Sequence, residues 1–149
     1  MTLLVPYDGS ALSVAALARA REFARYRDEP VVALTVVPED EGFAVERGWI
    51  DDGDAYDPTA VCDRFEAEVE EQAPDATFRC AHPTESGSLS ATVIDDITRT
   101  IREVAHEVDA SIIFIGSENA GRVSTPITSI GSPISRDAEY DVHIVRHAD

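Results

Sequence analysis

Short apolar runs that recur between amphipathic segments constrain this chain more than any other feature. Leu3-Leu4-Val5, residues 31–37, Ile112-Ile113-Phe114-Ile115 and Val142-His143-Ile144-Val145 are each of strand length. Such near-continuous runs suit strands buried on both faces, as in a parallel sheet covered by helices. Between them, apolar residues fall at helical spacing. Leu12, Ala16, Ala20 and Phe23 predict a helix over 11–27, with Asp8-Gly9-Ser10 as the turn before it and Ser10 as its cap. Pro30 ends that segment, and Pro38 closes the second strand. Pro58 opens a helix that carries Val61, Phe65 and Val69, and residues 76–81 read as a weakly alternating third strand. The clearest helix spans 91–108, where Val93, Ile97, Ile101, Val104 and Val108 repeat at spacings of three and four. A short helix is expected from Ser132-Pro133 to about Tyr140, ahead of the last strand.

Strands and helices therefore alternate from end to end. Parallel neighbours need crossover connections, so the pattern predicts an α/β fold: a doubly wound, five-stranded parallel sheet with helices on both faces. At 149 residues the chain is expected to be one domain over 1–149, long enough to bury about 68–70% of its unfolded surface.

Charge narrows the function. The chain carries 12 basic residues, all arginine, against 29 acidic ones, and its net charge of −17 is spread along the whole length. An evenly acidic surface repels nucleic acid and anionic lipid, so neither is expected as a partner. A well-solvated surface is one reading of this excess; adaptation to a high-salt, halophilic cytoplasm, where screening suppresses self-repulsion, is the favoured one. No apolar run approaches the ~18–20 residues of a membrane span. The start, Met1-Thr2-Leu3-Leu4-Val5-Pro6, resembles no export signal, and a cytoplasmic location is expected. Cys62 and Cys80 are too few for a zinc site or a disulfide framework and are read as reduced, partly buried thiols. His82, His106, His143 and His147 show no metal-ligand spacing, so no metal site is assigned. Asp51-Asp52 and Asp95-Asp96 are read as solvated faces rather than acid–base pairs, and no catalytic residue is assigned.

In a doubly wound sheet, ligands sit outside the carboxyl ends of the strands where strand order reverses. Asp8, Val36 and Gly116 fall at such ends. Residues 39–57 form an acidic connection containing Trp49, long enough to shape a pocket mouth. The segment from Gly116 to Pro133 holds three glycines, several hydroxyls and the start of a helix, all suited to an anion. The same residues also suit two ordinary turns and a helix cap. Likewise Ser124, Thr125, Thr128 and Ser129 read either as a polar exposed loop or as phosphate ligands.

Val5-Pro6-Tyr7-Asp8-Gly9-Ser10, Leu34-Thr35-Val36-Val37 and Ile113-Phe114-Ile115-Gly116-Ser117, continuing through Gly121-Arg122 and Gly131-Ser132, resemble the universal stress protein family over essentially the whole chain. Members of that family that bind ATP carry Gly, two residues, Gly, nine residues, then Gly-Ser or Gly-Thr. Gly121-x9-Gly131-Ser132 matches the second half; at the first glycine this chain has Glu118, and the nearest glycine is Gly116. A carboxylate there repels phosphate, and Pro133 removes one backbone donor. The resemblance implies a nucleotide site of Pro6, Tyr7, Asp8, Val36, Gly116, Gly121, Arg122, Gly131 and Ser132. In it Asp8 and the Val36 backbone meet adenine, Gly116 lies by the ribose, and Gly121, Gly131 and Ser132 contact phosphates. Arg122 adds the local positive charge.

Two functions stand side by side. One is a stress-response module that binds ATP or a related adenine nucleotide, with or without magnesium, and hydrolyses it slowly at most. The other is a dimeric interaction protein of the same fold that binds no nucleotide. The family also implies a homodimer formed through the C-terminal strand, which would cover an otherwise open sheet edge.

Overall fold

The structure, a computed structural model, describes residues 1–83, 92–119 and 139–148. Its elements follow the order β1 (Thr2–Pro6), α1 (Ala11–Arg27), β2 (Val31–Val36), α2 (Glu41–Glu46), α3 (Pro58–Gln72), β3 (Thr77–Ala81), α4 (Val93–Glu107), β4 (Ala110–Gly116) and β5 (Asp141–Val145). The five strands form one sheet in the order β3-β2-β1-β4-β5, and every pairing is parallel. The expected doubly wound α/β architecture is what the chain adopts.

The apolar runs explain the layers. Leu3, Val5, Ala33, Ile112 and Phe114 join one cluster with Ala16, Leu17 and Ala20 of α1 and Val61, Phe65 and Val69 of α3. Leu4, Leu34, Val36, Ile113 and Ile115 join another with Ile101, Val104 and Ala105 of α4. Successive strand residues point to opposite faces, so a strand covered on both sides must be apolar at every position. Arg19, Glu22 and Arg25 of α1 stay outside these clusters.

Helix starts are set by side chains. Ser10 accepts the Ser13 N–H, and Thr92 forms a reciprocal capping box with Asp95. That box places the start of α4 at Val93, two residues beyond the start expected from periodicity. It also assigns Asp95 a capping role, while Asp96 pairs with Arg99 at 2.8 Å, so the two are more than a solvated face.

Two expectations need correction. Residues 39–57 are not a plain connection, because α2 lies within them: Asp40 accepts the Phe43 N–H at 2.8 Å, and Phe43 and Ala44 are buried. Burial of two apolar residues on one capped turn holds six residues helical where the acidic composition suggested none. Cys62 and Cys80 are not free thiols either. They form a disulfide between α3 and β3, with their Cα atoms 6.0 Å apart. Phe65 and Val69 draw α3 against the sheet, and this packing brings residue 62 beside residue 80, a proximity the 18-residue separation does not reveal. The helix expected over 132–140 falls mostly outside the described residues.

Candidate functional site

Strand order reverses between β1 and β4: β1 leads through α1 to β2 on one side, while β4 lies on its other side. A cleft opens at the carboxyl ends of these strands, the place where such sheets bind ligands. It holds about 70 Å³ in its narrow interior and about 760 Å³ counted out through its open mouth. Pro6, Tyr7 and Asp8 after β1, Val36 ending β2 and Gly116 ending β4 all line it. Five of the nine candidate residues thus meet in one place. The other four, Gly121, Arg122, Gly131 and Ser132, lie outside the described residues, as do Ser124, Thr125, Thr128 and Ser129.

Asp8 is held in several ways. Its Oδ1 accepts the Ser10 N–H at 3.0 Å, its backbone carbonyl accepts the Trp49 Nε1–H at 3.2 Å, and its Oδ2 faces Arg47 Nη1 at 3.4 Å. Capping the turn and facing the cleft are therefore compatible roles for this residue. Just before it, the Tyr7 carbonyl accepts from the buried Thr35 hydroxyl at 2.8 Å, and the Tyr7 N–H donates to the Leu34 carbonyl at 2.7 Å. These bonds tie the segment after β1 to β2. Burial raises the Tyr7 phenol above its ordinary range, opposed by the hydrogen bond that Gln72 donates to it at 2.9 Å. The phenol stays protonated and acts as a fixed support.

The mouth is built by the segment around α2. Trp49 packs edge-on against Phe43 and Phe65, each with ring centroids 5.5 Å apart, and Phe65 meets Tyr7 edge-on at 5.8 Å. Arg47 lies over Phe43 at 5.0 Å, and Arg64 lies over Phe65 at 4.8 Å while donating to the Trp49 carbonyl at 2.9 Å. Edge-to-face pairs contribute about 0.5–1.5 kcal/mol each beyond their burial. Trp49 is accordingly buried at 6% exposure despite its place in an acidic, Gly-containing stretch.

Opposite this aromatic wall, Ile94, Ile97, Thr98 and Ile101 of α4 complete an apolar floor, and Glu118 and Asn119 follow β4 along the rim. The interior thus suits a flat apolar group with polar edges. An adjoining groove is polar, lined by Asp8, Glu46, Glu68 and Glu118 together with Arg47 and Arg64. Arg47 is the residue that sequence reasoning missed most completely, because its partner lies 39 positions away. The length of 39–57 and its Trp49 were the signals that this stretch would reach the cleft.

A second cluster lies where α3 meets the end of β3. Cys62, Cys80 and His82 each bring a ligand atom within 4.8 Å of the others, although no spacing in the sequence marks them as a set. Among the described residues no helix is long and apolar enough to cross a membrane.

Residues 1–146 match the model of the universal stress protein family. No curated protein matches the sequence. Among solved structures, a universal stress protein in complex with cAMP aligns with a TM-score of 0.54 and 22% identity, covering 100% of this chain and 98% of that one. A universal stress protein from Archaeoglobus fulgidus in complex with dAMP aligns with a TM-score of 0.52 and 20% identity, covering 98% of each chain. A family protein from Burkholderia pseudomallei gives a TM-score of 0.52 and 22% identity, covering 98% of this chain and 96% of that one. The structural likenesses establish the shared fold, and the family match spans all five strands. The chain belongs to the universal stress protein family.

Proposed function

We propose that this chain binds ATP or a related adenine nucleotide in the cleft between β1 and β4. The observation that carries the reading is the meeting of Pro6, Tyr7, Asp8, Val36 and Gly116 around one cleft at the switch point. In this account the adenine lies on the apolar interior against Val36 and the α4 isoleucines, with its exocyclic amine toward Asp8. The ribose lies by Gly116. The triphosphate runs toward Gly121, Arg122, Gly131 and Ser132. Family relatives solved with cAMP and dAMP support the adenine part of the proposal. The carboxylates of the adjoining groove are the reason a divalent cation such as magnesium is proposed to accompany a polyphosphate. Nucleotide occupancy, rather than turnover, would then be the signal of a cytoplasmic stress-response protein.

A dimer through β5 belongs to the same proposal. β5 pairs with β4 on one side, its Ile144 is 37% exposed, and a second copy laid along its outer edge would cover both. Light scattering in molar salt is expected to give a dimer. The acidic surface suits such a medium.

A specific observation favours a second reading. Glu118 lines the cleft and Arg47 is already paired with Asp8, an arrangement that disfavours phosphate and engages the carboxylate assigned to adenine. On this reading the chain is a dimeric interaction protein without nucleotide. The two separate cleanly when the protein is purified without added ligand, denatured, and the released small molecules are chromatographed. A near-stoichiometric adenine nucleotide supports the first reading. An empty protein that also fails to bind added Mg-ATP supports the second.

A further inference from the structure

Two cysteines suffice for a disulfide, yet Cys62 and Cys80 are accompanied by an imidazole. A ring nitrogen of His82 and the two sulfurs all lie within 4.8 Å of one another. His82 Nδ1 is 3.0 Å from the Val37 carbonyl. With Nδ1–H donating there, the ring is oriented and its lone pair is left on Nε2, the arrangement typical of metal-ligating histidines. Two thiolates and a neutral imidazole form the donor set that selects zinc and chemically similar thiophilic cations. Metal–sulfur bonds of about 2.3 Å and metal–nitrogen bonds of about 2.0–2.1 Å put tetrahedral ligand atoms about 3.5–3.8 Å apart, so the sulfurs separate to that spacing once the disulfide opens, and the spacing falls inside the 4.8 Å span of the three ligand atoms.

The site would survive opening of the disulfide. α3 is held by the buried Val61, Phe65 and Val69, and Cys80 sits opposite Thr35 in the β2–β3 ladder, so neither sulfur depends on the S–S bond for its position. Cys62 is nearly buried while His82 is exposed, leaving access for an ion and for a solvent ligand.

We propose that the reduced chain binds one thiophilic divalent cation, zinc or an ion of like chemistry, through Cys62, Cys80 and His82, and that the disulfide is the metal-free oxidised form of the same site. The interconversion balances. A dithiol reductant transfers two electrons and two protons, its own sulfurs joining as a disulfide while the Cys62–Cys80 bond breaks to two thiols. Each thiol then releases one proton to solvent as its sulfur binds the cation, and His82 binds as the neutral base. Re-oxidation by a small disulfide reverses both steps and expels the ion.

Cobalt(II) is the probe. The full chain, reduced with a phosphine under anaerobic conditions and freed of excess reductant, is titrated with cobalt(II), and zinc(II) is then added to displace it. The expected result is a thiolate-to-cobalt charge-transfer band saturating at one ion per chain, absent from the oxidised chain and lost in Cys62→Ser and in Cys80→Ser. His82→Gln is expected to weaken binding at least about tenfold, since even partners one shell further out carry about 10–100-fold. Comparison of the oxidised and reduced wild-type chain needs no substitution, and far-ultraviolet circular dichroism is expected to show both folded. A reduced chain without the band, an oxidised chain that binds equally well, or His82→Gln binding with unchanged affinity would each overturn the proposal.

Discussion

Asp8 and Arg47 meet at 3.4 Å across the mouth of the cleft, with side chains 24% and 30% exposed. At that exposure the pair contributes only about 0.2–1 kcal/mol to stability, so its value lies in positioning rather than in holding the fold. Arg47→Ala, which also removes the guanidinium from over the Phe43 ring, is therefore expected to lower the unfolding free energy in urea by no more than about 2 kcal/mol. Asp8→Ala is expected to lower adenine-nucleotide affinity at least about tenfold, the loss of one hydrogen bond to a charged acceptor. Calorimetric titration checks the second expectation, and unchanged affinity would remove Asp8 from the site.

Gly116 has a structural duty beside its proposed place near the ribose. A Cβ at this position would lie 2.8 Å from Leu12 Cβ, an atom fixed to α1 that no rotamer change moves away. Gly116→Ala is expected to cost about 1–3 kcal/mol through overpacking between β4 and α1. Urea unfolding measures it. A neutral result would show that this glycine is kept for another reason.

The Cys62–Cys80 bond closes a loop of 18 residues of sequence separation. Cross-links of about that span stabilise by about 3 kcal/mol, chiefly by restricting the unfolded chain. Metal-free protein treated with a phosphine is expected to unfold at correspondingly lower denaturant than the oxidised protein while remaining folded in buffer. Identical midpoints would show that the bond adds nothing.

His143 of β5 packs against Phe114 at 5.0 Å and Phe23 at 5.4 Å between ring centroids. Burial, reinforced by Arg19, lowers its pKa below the ordinary 6.5. The unfolded chain therefore takes up this proton first as pH falls. The contribution of His143 is fully present above the unfolded value and is lost as pH drops toward the folded one. Wild type should lose stability relative to His143→Phe between about pH 7 and pH 5, in the range where histidine changes charge. A stability difference that stays constant with pH would contradict this.

The strands and long helices were legible because burial on both faces forces continuous apolar runs and burial on one face forces helical spacing. Asp8, Val36 and Gly116 were legible as strand ends, and strand ends in this architecture face the crevice. What the sequence could not announce were relations between distant positions. Arg47 reaches Asp8, Thr35 supports the Tyr7 carbonyl, and Trp49 packs edge-on against Phe65 only because the segment around α2 folds back against the core. The helix itself was hidden because six residues are too few to show a helical period, and its two buried residues, Phe43 and Ala44, are matched by two acidic ones, Glu41 and Glu46. Cys62 was read apart from Cys80 and His82 for the same reason: the packing of α3 against the sheet, not the sequence separation, brings it to them.

The central claim is that the cleft holds an adenine nucleotide, and calorimetric titration of nucleotide-free chain with ATP and magnesium in molar KCl tests it most directly. The account predicts saturable heat at one site per chain, a weaker response to GTP, and a loss of affinity in Asp8→Ala. No heat with ATP, cAMP or dAMP from protein verified to be empty and folded would contradict it.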